Sequence, residues 1–319
     1  MRVALFGGTG FVGSYLVDAL VAAGMQPVML VRPGHADKVR HPGDCVTIEG
    51  DIGDMGAVNS LLSQADAAIY NIGILREFPG RGVTFDELHD RAARRVMDAA
   101  VQLGVKRFLL MSANGVRPDG TAYQRSKALA EQHLMGTDLD WTIFRPSVIF
   151  GDPRGRMEFA TQLQRDIIGS PLPAPLFYPG LLPFGAGRFA LSPVHVEDVA
   201  SAFVTALQTP DTIGRTIALG GPSRLSWRQI LETLAAVAGK RKLMLPVPAL
   251  GISMAAVMLD RFEDFPITRD QIKMLLEGNV CDSSGLTELG ITARPFDASN
   301  LLYLNNSNEG PETWHQNAA

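Results

Sequence analysis

The sequence predicts an α/β protein: a doubly wound parallel sheet followed by a smaller, mostly helical C-terminal lobe. Three observations predict it. Apolar runs of strand length alternate with helical patterns through the first half, as in chains of βαβ units. A glycine cluster, GGTGFVG at 7–13, falls between the first strand run and the first helical pattern. After Gly151 the alternation loosens and helix-capping signals take over.

The run at 2–6 is a short buried strand, and 14–23 has helical character after the glycines. A second strand at 28–31 is stopped by Arg32, Pro33 and Gly34. Weaker strands are expected at 46–49 and 67–70, with a helix at 54–62 between them. Thr84 and Glu87 form a capping-box signature that opens a helix ending near Gly104. Strands at 107–111 and 141–144 then flank a helix at 123–135, which completes six strands with crossover helices. Beyond them, 171–187 is a loop dense in Pro, Leu and Phe. Residues 189–194 read as extended, 197–207 as a helix and 216–219 as a further strand. Ser226 with Gln229 and Thr268 with Gln271 are further capping boxes. The expected division places 1–155 and 189–220 in the sheet domain, 156–188 and 221–304 in the second lobe, and 305–319, polar with Pro311, in a mobile tail.

Composition narrows the function. The chain has 319 residues, 46% of them hydrophobic, and a formal net charge of −4 from 29 Lys+Arg against 33 Asp+Glu. It is therefore globular, and a nucleic-acid partner has no electrostatic support. Its two cysteines, Cys45 and Cys281, supply neither a disulfide framework nor a zinc site, which suits a reducing compartment. Glycines at 7–13 interrupt what an export signal would need as an unbroken apolar run, so a cytoplasmic location is expected. The most apolar stretch, 243–259, is broken by Pro246, Pro248 and Gly251. It is shorter than the roughly 20 residues a membrane-spanning helix needs. It reads as a buried helix, or as an interface resting peripherally on the inner face of a membrane.

The glycine cluster carries the first chemistry. Gly8, Gly10 and Gly13 fit the dinucleotide fingerprint, and Gly7, Gly10 and Gly13 fit the related G-x-x-G-x-x-G spacing. The turn must be tight, the backbone must approach a pyrophosphate with no Cβ in the way, and helix must pack close to strand. Thr9, Phe11 and Val12 complete the loop, whose amides at the helix start receive the phosphates. About 20 residues later, an NAD site usually carries an acid on the ribose 2′-hydroxyl. This sequence has Val31 and then Arg32 there, so a guanidinium is available to a 2′-phosphate and NADP(H) is preferred. The alternative leaves Arg32 as a solvated strand-end charge and NAD(H) as the cofactor. Asp51 and Ile52 follow the third strand and Asn71 and Gly73 the fourth, at the sheet edge where ligands of such sheets bind.

The second constellation is Ser112 after the fifth strand, then Tyr123 and Lys127 one helical turn apart in YQRSK. A phenol titrates near 10, too high for a useful base at neutral pH. A cation on the same helix face, reinforced by an oxidised nicotinamide, favours the phenolate, so that the tyrosine exchanges a proton with a substrate oxygen while hydride moves at the nicotinamide. Ser112 is placed to hydrogen-bond that same oxygen.

Together, GGTGFVG, EGDI, NIG, Ser112, YQRSK, RPSVIFGD and HVEDVA resemble the short-chain dehydrogenase/reductase superfamily, of the extended or atypical type. The resemblance extends to about Leu304. FRPSVIFG, ALGGPSRLSWRQIL and ITRDQIKMLLEGNV look most like the nucleotide-binding accessory subunit of respiratory complex I and its bacterial relatives. It implies a Rossmann domain, NADP(H) or NAD(H) on the glycine loop, and Tyr123, Lys127 and Ser112 in catalytic positions. It also implies that Lys127 holds the nicotinamide ribose and that Arg145 and Pro146 line the nicotinamide pocket. A departure is that Met-Ser-Ala-Asn at 111–114 offers only Ser112 and Asn114 where extended enzymes carry a run of Ser and Thr.

Other residues invite two readings. His195, Glu197 and Asp198 are a metal or catalytic cluster, or a helix start whose acids complement the dipole, and the second is preferred. Phe177, Tyr178 and Phe184 wall a hydrophobic pocket or belong to an ordinary loop. Met254 and Met258 read as core; His89, His133 and Trp314 receive no role. The expected function is an NAD(P)(H)-dependent oxidoreductase or epimerase acting on a lipophilic carbonyl or hydroxyl compound. Polar sugar-nucleotide pockets would show more Arg and Asn in the second lobe. The alternatives are a nucleotide-binding accessory subunit of a membrane respiratory complex, without turnover, or a redox-sensing regulator. Substrate and oligomeric state stay open.

Overall fold

A computed structural model describes residues 1–178, 180, 182–248, 269–281 and 284–306. The first apolar run becomes β1 (Arg2–Phe6), and Val3 and Leu5 face one side of the sheet while Ala4 and Phe6 face the other, as the period of two requires. The chain continues through α1 (Phe11–Ala22), β2 (Gln26–Val31), β3 (Val46–Glu49), α2 (Met55–Leu62), β4 (Ala67–Tyr70), α3 (Ala92–Leu103), β5 (Arg107–Met111), α4 (Ala122–Met135) and β6 (Asp140–Pro146). It then forms β7 (Ile149–Phe150), α5 (Phe159–Leu163), β8 (Ala174–Tyr178), β9 (Ala190–Leu191), β10 (Val194–His195), α6 (Val196–Gln208), β11 (Arg215–Leu219), β12 (Leu225–Ser226), α7 (Trp227–Val237) and β13 (Met244–Pro248). Helices α8 (Arg269–Glu277), α9 (Ser284–Glu288) and α10 (Tyr303–Asn306) follow.

The central sheet has seven strands rather than six, because β11 pairs with β6 in parallel. Its order is β11-β6-β5-β4-β1-β2-β3. Chain direction of travel reverses between β1 and β4, which opens a crevice at their carboxyl ends. One face is covered by α1 and α6, through Leu16, Val17, Leu20 and Phe203, and the other by α2, α3 and α4, through Val58, Leu61, Val96 and Met97.

The second lobe has its own core, in which Trp227, Ile230, Leu231 and Leu234 of α7 meet Phe150, Phe177, Phe296 and Leu301. Trp227 stacks between Phe177 and Phe189 and donates from Nε1 to the Pro175 carbonyl at 2.8 Å. The stretch expected to be a proline-rich loop contains β8, whose parallel partner is β13. Both strands carry prolines and form a two-stranded unit of edges only, where a missing N–H is tolerated. The extended run at 189–194 divides into β9 and β10, which pair with different strands. Ser284–Glu288 crosses the boundary drawn at 220: Leu286 is buried in the core of the sheet domain.

Local signals explain the boundaries. Helix α1 starts at Phe11, directly after Gly10, rather than at 14. Asp54 caps α2 by accepting from the Gly56 and Ala57 amides, and Thr121 and Ser226 form complete capping boxes. The Thr84 hydroxyl accepts from the Glu87 amide, but the Glu87 carboxylate pairs with Arg95, so the box is half made. That helix opens with a π-helical stretch, Asp86–Arg91, before α3. Thr268, Met254, Met258, Trp314, the 249–259 part of the apolar stretch and the tail from 307 lie outside the described residues. Among the described residues no helix is long and apolar enough to cross a membrane.

Candidate active site

A cleft of about 2710 Å³ runs along the carboxyl edge of the sheet and under the second lobe. Gly7, Thr9, Gly10, Phe11 and Val12 line it. Gly7 has φ +90° and lies so close to Asn71 that its Cβ would stand 3.1 Å from that residue's carbonyl. Gly13 does not line the cleft; it lets helix meet loop, since a Cβ there would stand 2.0 Å from the Gly7 carbonyl oxygen. Phe11 and Val12 belong to a first helical turn whose amides have no intrahelical acceptor. The loop is thus a cradle of free donors that any larger residue would fill.

Arg32, Asp51 and Ile52 line the same end of the cleft, and Asn71, Gly73 and Pro146 its middle. Asp51 accepts from the Gly53 amide at 3.0 Å, which turns the chain at the end of β3. Asn71 lies with Nδ2 3.5 Å from the Gly7 carbonyl.

Ser112, Tyr123 and Lys127 converge on the cleft from β5 and α4. Lys127 is buried, donates to the Met111 carbonyl at 3.1 Å and lies 5.7 Å from the centre of the Tyr123 ring. Burial lowers its pKa to about 8, with Glu131 opposing the shift. Glu131 is itself buried and held by Arg145. Burial also raises the Tyr123 phenol above its ordinary range. Among protein groups, desolvation of the phenol dominates; the lowering expected from Lys127 acts together with an oxidised nicotinamide. Ser112 Oγ is buried and, among the described residues, has no hydrogen-bond partner. Such an atom is costly unless a ligand satisfies it.

His89, given no role from sequence, belongs here. Its ring stacks on Phe85 and meets Tyr123 edge-on at 5.2 Å. Nε2 accepts from the Ile74 amide at 2.9 Å, so Nδ1 carries the proton and donates to Ser126 Oγ at 3.2 Å. Ser126 in turn donates to the Tyr123 carbonyl at 3.0 Å. Burial first, and Lys127 second, hold the His89 pKa well below its ordinary value. A neutral histidine thus fixes both the tyrosine and the turn after β4. Nothing in the sequence marks it, because only the fold brings the π-helical stretch before α3 beside α4.

His195 lies elsewhere, as the N-cap of α6, with Nδ1 accepting from the Glu197 amide at 3.3 Å. Asp198 is buried against Arg294, and no metal-ligating cluster occurs among the described residues. The second lobe closes the cleft with Phe159, Phe177, Phe189, Trp227, Met274 and Leu275. Its wall is less purely apolar than expected, since Arg165, Arg188, Arg224 and Asn279 line it too. Tyr178 is buried without lining the cleft, and Phe184 is exposed. Arg154 and Arg156, also unmarked in sequence, come from the segment after β7, where Arg154 donates to the Ser14 carbonyl of α1 and Arg156 to the Thr9 carbonyl of the glycine loop.

The profile of the NAD(P)H-binding family matches residues 7–169. The mouse NADH dehydrogenase [ubiquinone] 1 alpha subcomplex subunit 9, mitochondrial, is 26% identical, over 94% of this chain and 78% of its own. A ceramide reductase of Caulobacter vibrioides is 28% identical, over 83% and 80%. UDP-glucose 4-epimerase of Thermus thermophilus, solved with NAD, has the same fold at a TM-score of 0.70 and 19% identity, over 96% and 98%.

Proposed function

This chain belongs to the NAD(P)H-binding family, of the short-chain dehydrogenase/reductase kind, and from that premise we propose that it is an oxidoreductase or epimerase for a carbonyl or hydroxyl group of a lipophilic small molecule, with NADP(H) preferred over NAD(H). The observation that carries this reading is the buried, unpartnered Ser112 hydroxyl in the cleft that Tyr123 and Lys127 also line. The glycine cradle and that hydroxyl both fit a pyridine dinucleotide with a substrate oxygen beside it.

The dinucleotide, when bound, supplies or accepts a hydride. Ser112 Oγ–H orients the substrate oxygen. The Tyr123 phenol, kept protonated by burial, donates its proton as negative charge develops on that oxygen. Lys127, held by the Met111 carbonyl, stabilises the phenolate left behind. His89 and Ser126 keep the ring in place throughout. In the oxidative direction the same groups take the proton. The ceramide reductase relative and the aromatic residues Phe159, Phe177, Phe189 and Trp227 support a lipophilic substrate, and the guanidiniums of Arg165, Arg188 and Arg224 in the same wall suit one that also carries a polar group.

NADP(H) preference is supported by Arg32, exposed at the end of β2 with no ion pair among the described residues and no carboxylate in the place usual for NAD. Exposed Leu172, Leu243 and Leu245 beside Lys240 and Arg241 support peripheral contact with an anionic membrane, which vesicle flotation tests. The second reading, a nucleotide-binding accessory subunit without turnover, is favoured by the mitochondrial relative, which matches nearly the whole chain. Tyr123→Phe separates the two: an enzyme keeps nucleotide affinity and loses turnover on its substrate. Turnover unchanged in the variant would refute the proton-transfer role.

A further inference from the structure

The segment after β7 lies as a strap across the glycine loop. Gly151, Arg154 and Gly155 bend it through positive φ values of 151°, 49° and 75°. Tyr15 Oη donates to the Asp152 carbonyl at 3.0 Å, and the Arg154 guanidinium lies 3.5 Å from the Tyr15 ring centre. Arg154 also pairs with Asp18 at 2.8 Å. Arg156 reaches further. Its Nε donates to the Thr9 carbonyl at 2.7 Å, Nη1 to the Arg154 carbonyl at 2.8 Å and Nη2 to the Lys38 carbonyl at 3.3 Å.

Arg156 differs from its neighbours in having no acid. Arg154 and Arg40 both pair with Asp18, whereas the partners of Arg156 among the described residues are neutral carbonyls. A guanidinium has five N–H donors, so donors remain for a ligand in the cleft that Arg156 lines. Burial and the nearby Arg154 and Arg40 make its charge harder to hold, a deficit that an anion would relieve. Position indicates which anion. Thr9 belongs to the glycine loop, and Lys38 to the connection that begins at Arg32, so the guanidinium bridges the loop and the connection that follows β2. The pyrophosphate is already served by the loop amides. The adenosine ribose lies toward the end of β2 in this fold.

We propose that Arg156 is the second cation of a 2′-phosphate site whose first is Arg32, brought across the glycine loop by the strap. The proposal rests on the NADP(H) reading above and explains how the second lobe's entry segment contributes to cofactor choice.

The test is titration calorimetry of the full chain with NADPH and with NADH, for wild type, Arg156→Gln and Arg156→Lys. Loss of one charged hydrogen-bonding partner of a phosphate corresponds to about 10- to 100-fold weaker NADPH binding. Arg156→Gln is expected to show that loss while its NADH affinity stays near wild type, which also shows that it folds. Arg156→Lys is expected to fall between them. Equal weakening of both nucleotides, or an unchanged NADPH advantage, overturns the proposal while leaving NADP(H) preference standing. A wild type with no NADPH advantage overturns both. Should Arg156→Gln fail to fold, hydrogen exchange on the wild type decides. Amides of 152–156 protected more by NADPH than by NADH support the site, and equal protection overturns it.

Discussion

Replacing Lys127 with Met is expected to make the protein more stable and less active. The buried ammonium has its pKa lowered from 10.5 to about 8, chiefly by burial, which corresponds to roughly 3 kcal/mol of destabilisation at pH 7. Methionine fills similar space without a charge, and the lost bond to the Met111 carbonyl offsets about 1 kcal/mol. The net gain is then ~2 kcal/mol. Because the folded pKa lies below the unfolded one, the penalty is fully present below about pH 8 and fades as pH rises toward 10.5. Urea unfolding of both proteins without nucleotide, at pH 7 and pH 10.5, measures this. The variant should be more stable at pH 7, and at the higher pH that gain should vanish, leaving the variant equal to or less stable than wild type by up to about 1 kcal/mol. A variant destabilised at pH 7, or a difference independent of pH, would refute the electrostatic account of this site.

Ser112→Ala removes a buried hydroxyl with no partner, so the protein without nucleotide should be at least as stable, by up to about 1–3 kcal/mol, while turnover falls, measured by paired melts and initial rates. His89→Leu strands the Ile74 amide and should destabilise by roughly 1–3 kcal/mol at pH 7, read by urea unfolding. In the wild type the folded His89 pKa lies below that of the unfolded chain. Stability should therefore fall as pH drops below 6.5, and the His89→Leu variant should lack that contribution.

Much of the fold was legible because its signals are local. The glycine loop, the apolar runs of β1 and β5 and the capping box at Ser226 are each written within a few residues. Strand β8 was not, because Pro175 argues against a strand unless its edge position is known. The convergence of Ser112, Tyr123 and Lys127 followed from placing their strand and helix in order. His89 and Arg156 were hidden for a different reason. The first acts on the site through a helix–helix contact, and the second bonds Thr9 across 147 positions of sequence. The desolvation of the Tyr123 phenol was not legible, because sequence spacing reveals the neighbouring cation but not how far the fold withdraws the ring from water.

The central claim is that the glycine loop holds a pyridine dinucleotide, and titration calorimetry of wild type against Gly13→Ala tests it most directly. A Cβ at position 13 would stand 2.0 Å from the Gly7 carbonyl oxygen and 2.7 Å from the Gly8 Cα, so helix and loop must part. The account predicts saturable NADPH binding at one site in the wild type and a severe loss of it in the variant. Absence of binding to the wild type, or equal affinity in the two proteins, would contradict it.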